Sequence, residues 1–420
     1  MGRSLMSRIL GAFAALTASV ALVACGASGD SSSSGDYAKA ATAAPVSLEI
    51  PKSGCGAVAT PLPPDPDGVI AKLPAKDKAQ FAGYKTPVTK GIWSDFKPDH
   101  GPPYKVGLSF AQLTGSTQVG LYGSIKKNLE ANPDIEFTGV TTGTQLNIPQ
   151  QIQQFNSLLD QKPDVLIVQP LTDAFGPSVE KAAKQGIPTI SIQGYTDSKS
   201  AINIQSNNYG SGAQAASYIF RKMGGKGNVL YVHGIASSTV DIDAYESYQA
   251  AMKNCPGIKQ AGEVAGAFVP ATAKAEVLKF LATHPEQIDA VIQTGGMTPG
   301  IFDAFEQAGR PIPLIHDGAA MKGSMGYWIN NEDYNGYGNG YPTVSYGKSV
   351  ASFIKRMLAG RGLQSSDVVN FYPPINDDNL DQWAEESWNL KTPGNSEGPP
   401  NVFMTEEFMS SLFRDPAPAN

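Results

Sequence analysis

From Tyr104 onward, short apolar runs alternate with helical stretches, and that alternation restricts the chain to one fold class. KVGLSF reads as a strand, SIKKNLEAN as a helix and IEFTGV as a strand. IPQQIQQFNSLLDQ sets Ile148, Ile152, Phe155, Leu158 and Leu159 on one helical face. DVLIVQP is a near-continuous apolar strand, as strands buried on both faces are. SVEKAAKQ follows as a helix and PTISIQ as a strand. The pattern then restarts with AINIQ and a helix from Tyr209 to Met223, and it runs on through NVLYVHG, AYESYQAAMKN, AGEVAG, TAKAEVLKFLATH, DAVIQT, PGIFDAFEQAG and PLIHDG. Strands and helices joined by short links predict parallel sheets with helices on both faces. Two such sets in tandem predict an α/β protein of two similar doubly wound lobes. Ligands of open α/β sheets bind beyond the carboxyl ends of the strands, so two lobes facing each other there enclose a cleft.

The chain has 420 residues, a length that suits a body of two domains. Its net charge of −6 is spread without long like-charge runs, and no basic stripe suited to nucleic acid is present. The four histidines, His100, His233, His284 and His316, fall in no metal-ligand spacing, and no GxSxG nucleophile elbow occurs. His233 and His316 end strands near the expected cleft, where they read as ligand contacts or satisfied core groups before a catalytic pair. No cofactor and no metal are expected.

The N-terminus has a different character. Arg3 and Arg8 precede an apolar stretch from about Ile9 to Leu22, too short to span a bilayer comfortably and typical of a secretory leader. The run Leu22, Val23, Ala24, Cys25 resembles the lipobox of bacterial lipoproteins. That resemblance implies cleavage of residues 1–24, acylation of Cys25 and a tether to the outer face of the cytoplasmic membrane. Residues 25–44 are a Ser/Gly-rich spacer. Residues 45–103 are rich in proline yet carry Phe81, Tyr84, Ile92, Trp93 and Phe96, which predicts an arm packed on the body with one short helix near Lys76 to Gly83. With Cys25 lipidated, Cys55 and Cys255 remain; a disulfide between them and two buried free thiols both fit.

From about Tyr104 to Tyr372 the chain resembles the periplasmic sugar-binding proteins of the ribose-binding type, the type I substrate receptors of ABC importers. DVLIVQPLTDAFGPSVEKAAKQGIPTISI, SNNYGSGAQAASYIFRKMGGKGNVLYVHG, the AFVPATAKAEVLKF turn and helix, HDGAA and NFYPPINDDNL carry the resemblance by their order and spacing. It implies an N-terminal lobe over 104–205 with 341–362 returning to it, a C-terminal lobe over 206–340 and a C-terminal segment over 363–420. It also implies three hinge crossings, near Ile204, near Tyr341 and after Gly362, with closure of the lobes trapping the ligand.

The same resemblance implies ligand contacts at Asp317, which binds sugar hydroxyls in relatives, and at Phe268, which stacks on the sugar. The residue-level alternatives are a helix-capping aspartate and a core phenylalanine. The loop AQLTGSTQ offers Gln112, Thr114, Ser116 and Thr117 but lacks the aromatics relatives carry there. Gln193 stands where relatives have a charged residue, and Tyr341 lies near a hinge position. VDIDAYESY offers Asp241 and Asp243 in place of a ligand-binding arginine, and Thr294 with Gly295 replaces an Asn-Asp pair. A pocket short of positive charge predicts a neutral sugar or polyol, or a cation, in place of a sugar acid. The expectation is a monomeric binding protein and no enzyme, serving a permease and its ATPase. The rival is a lipoprotein that senses an amine or aromatic compound for a membrane partner. A DNA-binding regulator is excluded, since no basic recognition helix precedes the lobes.

Overall fold

The computed structural model describes residues 49–143, 146–400 and 402–414. The leader, Cys25 and the spacer before residue 45 lie outside the described residues. Among the described residues no helix is long and apolar enough to cross a membrane.

The arm comes first and contains α1 (Ala75–Ala79). The first sheet then builds through β1 (Tyr104–Phe110), α2 (Ser116–Glu130), β2 (Ile135–Thr141), α3 (Ile148–Leu159), β3 (Val165–Val168), α4 (Gly176–Ala183), β4 (Thr189–Ile192) and β5 (Ala201–Ser206). The second sheet follows through α5 (Asn208–Lys222), β6 (Lys226–His233), α6 (Thr239–Lys253), β7 (Gly257–Ala265), α7 (Pro270–Thr283), β8 (Ala290–Gln293), α8 (Thr298–Gln307), β9 (Leu314–Asp317), α9 (Lys322–Ile329) and β10 (Tyr337–Asn339). The chain returns with α10 (Thr343–Leu358), β11 (Asp367–Asn370), β12 (Pro374–Ile375) and α11 (Glu406–Leu412).

Six strands form each sheet, in the orders β11-β5-β4-β3-β1-β2 and β12-β10-β9-β8-β6-β7. Every pairing is parallel except β10 with β12. Strands β3, β4, β5 and β8 are buried at every position, because helices cover both faces of each sheet. The first sheet separates one core around Val106, Leu108, Ile190 and Phe353 from another around Phe155, Leu166 and Val179. The second separates Val232, Phe302 and Trp328 from Tyr218, Tyr231 and Tyr248.

The main chain passes between lobes three times: at Asn207 between β5 and α5, at Gly340–Pro342 between β10 and α10, and at Phe371–Pro373 between β11 and β12. The stretch after Gly362 is therefore no mere appendix, since it adds an edge strand to each sheet. At the second passage the ring of Trp383 occupies the space a Cβ on Gly340 would need. Helix α2 begins eight residues before the SIKKNLEAN run, so Ser116 and Thr117 sit in its first turn while Gln112 and Thr114 stay in the loop. The run GYGNGYP, which carries no strand pattern of its own, contains β10.

Arm and tail both reach across the two lobes. Cys55 and Cys255 form a disulfide that pins the start of the arm to the second lobe, and Val58 is buried in that lobe's core. Further along, Ile70, Phe81, Tyr84, Val88 and Trp93 join the core of the first lobe. The bridge between Lys90 and Ser365 lays the arm along the approach to edge strand β11. At the other end of the chain, Trp388 and Leu390 pack on the second lobe, whereas Phe403, Phe408, Leu412 and Phe413 are buried in the first.

Candidate functional site

The carboxyl ends of the strands in both sheets meet across a gap. A residue with a side-chain amide or imidazole stands at or just past five of these ends: Gln169 after β3, Gln193 after β4, Gln293 ending β8, His316 in β9 and Asn339 ending β10. All five line one interlobe cavity, with Ser116, Thr117 and Gln118 from α2, Asn208 and Ser211 from α5, and Tyr341 and Tyr372 from the hinge. Its apolar wall consists of Pro170, Leu171, Val240, Ala244, Phe268, Pro270 and Ala319. The cavity offers about 110 Å3 to the centres of water-sized molecules. One water needs roughly 10–15 Å3 on that measure, so a solute of several heavy atoms fits.

Among the described residues that line the cavity, none is Asp, Glu, Lys or Arg. Burial pushes the His316 imidazole down to about 4 and raises the Tyr341 and Tyr372 hydroxyls, so all three titratable rings in the wall are neutral at physiological pH. Its Nε2 lies 2.7 Å from Asn339 Oδ1, while His316 Nδ1 and Asn339 Nδ2 have no partner. Gln293 donates through Nε2 to Thr298 Oγ1 and to the His316 carbonyl, which leaves its Oε1 unpaired. Unsatisfied buried groups of this kind are costly and call for hydroxyl partners. On the opposite wall Gln169 Nε2 donates to Gln193 Oε1, and Gln193 Nε2 donates to the Tyr341 hydroxyl. These bonds leave two glutamines and a tyrosine in one ordered row.

Phe268 lies at the end of a left-handed corner, with Ala267 at φ 55° and Phe268 at φ 59°. Non-glycine residues held there cost of order 1–3 kcal/mol each. The ring packs on Gly234, where a Cβ would overlap it, and beside Gly295, whose own φ is 89°. Packing on Gly234 and Gly295 thus sustains the strained corner that sets the ring in the cavity wall. Tyr341 and Tyr372, 5.4 Å apart between ring centres, supply rings from the hinge side.

The residues expected from sequence divide into two sets. Ser116, Thr117, Gln193, Phe268, Thr294 and Tyr341 line the cavity; Gln112, Thr114, Asp241, Asp243 and Asp317 do not. Asp317 is fully buried, and its carboxylate accepts from Ala319 N, Met321 N, Thr298 Oγ1 and Ser324 Oγ, so it shapes the turn after β9. Burial pushes that carboxyl up to about 6 in spite of these bonds. Asp241 accepts from Gly234 N at 2.7 Å and lies 2.6 Å from His233 Nδ1; Glu263 lies 3.2 Å from the other ring nitrogen, Nε2. His233 therefore stands apart from His316, and the two form no pair in the cavity. Asp243 is half-buried, with a carboxyl that burial raises to about 6 against the pull of Lys85. Gln112 is buried, and Thr114 Oγ1 is buried without a partner. With all three acids outside the wall, the extra negative charge read from the sequence does not reach the cavity.

Gln118, Gln169, Asn208, Ser211, Gln293, Asn339 and Tyr372 were not expected as contacts. A signal for several of them exists in the sequence. LIVQ, ISIQ, INIQ and AVIQ each end an apolar run in glutamine, and an amide at the end of an otherwise apolar buried strand has only the sheet's open edge to face. Gln205 shows the limit of that signal, because it donates to the Tyr84 hydroxyl of the arm.

Two parallel-sheet lobes with a hinge and a cavity where their strand ends meet define a type I two-lobed binding protein. The model of the periplasmic binding protein domain matches residues 121–362, more than half of the chain, and the chain belongs to that family. It is a binding protein of a family that acts outside the cytoplasm, and not an enzyme. Over 241 residues it is 26% identical to a xylitol-binding protein of Mycolicibacterium smegmatis, a match covering 56% of this chain and 67% of that one. Among solved structures, an ABC transporter solute-binding protein from Thermobispora bispora superposes with a TM-score of 0.64 at 22% identity, over 74% of this chain and 94% of that one. One from Bacillus halodurans with bound myo-inositol gives 0.61 at 17% identity, over 68% and 98%.

Proposed function

We propose that the protein is the lipid-anchored substrate-binding component of an ABC importer and that it closes its two lobes on a small neutral sugar or polyol. The observation that carries this reading is a cavity wall of amides, hydroxyls, a neutral imidazole and aromatic rings without a formal charge. Amides donate and accept, so they pair with hydroxyls in either direction. A sugar acid would find no counter-charge in the wall, and an ammonium would find no carboxylate. Support also comes from the relatives, one described as binding xylitol and another carrying myo-inositol. The lipobox-like run at Cys25 supports the anchor, which would keep the protein beside its permease at high effective concentration.

A thermal-shift series with xylitol, myo-inositol, glycerol, pentoses, gluconate and simple amines tests the reading. A neutral polyol at about 100 times its dissociation constant should add roughly 2.7 kcal/mol of stability. Phe268→Ala should weaken that ligand by about 10- to 100-fold through the lost ring face. A shift produced by gluconate or by amines, with none from neutral polyols, would sink the proposal.

A further inference from the structure

The tail after Trp383 runs from one lobe to the other at the rim of the cavity. We infer that its segment Gly394–Glu397 is a latch that holds the lobes closed over the cavity, an inference that rests on the closing-clamp reading above. Asn395 makes the junction. Its Oδ1 accepts a hydrogen bond from Thr117 Oγ1 at 3.0 Å, and its Nδ2 donates to the Ala319 carbonyl at 2.7 Å. Thr117 lines the cavity from the first lobe and Ala319 from the second. One buried amide thus ties the two walls together beside the ligand space.

The residues around it are fastened on both sides. On the second lobe, Asn395 bridges Met321 in an antiparallel pair, Lys322 N donates to Gly394 O, and Ser396 N donates to Ala320 O at 2.7 Å. On the first lobe, the Glu397 carboxylate accepts from Val344 N, Ser345 N and Thr343 Oγ1 at the start of α10. A carboxylate there meets unpaired backbone N–H groups and the positive end of the helix dipole. Separation of the walls breaks the Thr117–Asn395 bond, so that bond adds to the stability of the closed form and slows ligand escape.

The test uses the full chain with Cys25→Ser, spin-labelled at Val119→Cys and Ile242→Cys. Val119 and Ile242 are exposed on α2 and α6, one on each lobe. Without ligand, Asn395→Ala should move the interlobe distance distribution toward longer values. Thr117→Val should do the same, with a further loss of its weaker contact to Met321 Sδ at 3.8 Å, and the double variant should fall short of the sum of the two single effects, because both remove the Thr117–Asn395 bond. With a bound polyol, Asn395→Ala should release it roughly tenfold faster. An unchanged distance distribution, or effects that add in the double variant, would overturn the latch. The distance measurement needs no ligand, so it judges the latch even when no polyol binds and the proposed function has failed.

Discussion

Asp317 and His316 are neighbours in β9 and point to opposite tasks. Asp317 gathers four donors inside the second lobe, and His316 lines the cavity. Asp317→Ala should therefore lower stability by about 3 kcal/mol, since buried donors are left unpaired, with thermal denaturation as the readout. Loss of ligand binding in a variant of unchanged stability would contradict this placement. Their titrations also oppose each other. Burial lowers His316 to about 4, so its contribution to stability is whole above pH 6.5 and is lost as pH falls toward 4. Burial raises Asp317 to about 6, so its contribution is whole below about pH 3.8 and is lost as pH rises through 6. The two partly cancel between pH 4 and 6. His316→Asn removes one side of that balance, so denaturant titrations from pH 7 to pH 4 should show the variant gaining about 3 kcal/mol relative to the parent chain. Parallel curves for the two proteins would show that His316 is not held neutral by burial.

Among the elements, the second hinge passage is the most constrained. Gly340 lies between β10 and α10 with the Trp383 ring against its Cα, and the same ring also packs on Gly398 of the tail. Gly340→Ala should displace that ring or open the hinge, at a cost of about 1–3 kcal/mol for an overpacked site. Reduced thermal stability and quenching or a shift in Trp383 fluorescence would report it. A variant as stable as the parent, with unchanged tryptophan emission, would show that the hinge has slack the packing does not reveal. The arrangement also explains why GYGNGYP reads poorly as a strand. Its glycines admit the close approach of Trp328, Ile375 and Trp383, while the pairing of β10 with β9 and β12 is supplied from elsewhere in the chain.

At the scale of the molecule, five passages tie the lobes: three hinge segments, the arm and the tail. The disulfide between Cys55 and Cys255, 200 residues apart in sequence, fixes the arm to the second lobe while the rest of the arm fills the first lobe's core. A cross-link over a loop of that length restricts the unfolded chain strongly, and its removal typically costs about 2–5 kcal/mol. Cys55→Ser with Cys255→Ser should lower the unfolding midpoint accordingly and should loosen the arm, with faster amide exchange around Val58. Equal midpoints in the parent and the double variant would show that burial alone holds the arm.

The sequence by itself determined the α/β alternation, the two lobes and the edge at which a ligand must sit, because strand and helix periodicities are local and each buried run states its own environment. Phe268, Gln193, Thr294 and Tyr341, which line the cavity, were legible only through the family resemblance, at positions where relatives carry ligand contacts or the hinge. Only the tertiary structure decided which way the carboxylates turn. Asp241, Asp243 and Asp317 sit in the right loops, yet backbone N–H groups, a histidine or plain burial take them up, and nothing in their spacing records those partners. The same holds for the tail, whose residues carry no periodic pattern and reach Thr117 across 278 residues of chain and the start of α10 across more than 50. Local pattern writes the elements, whereas the charge of the cavity wall depends on side-chain partners that meet only once the lobes have folded.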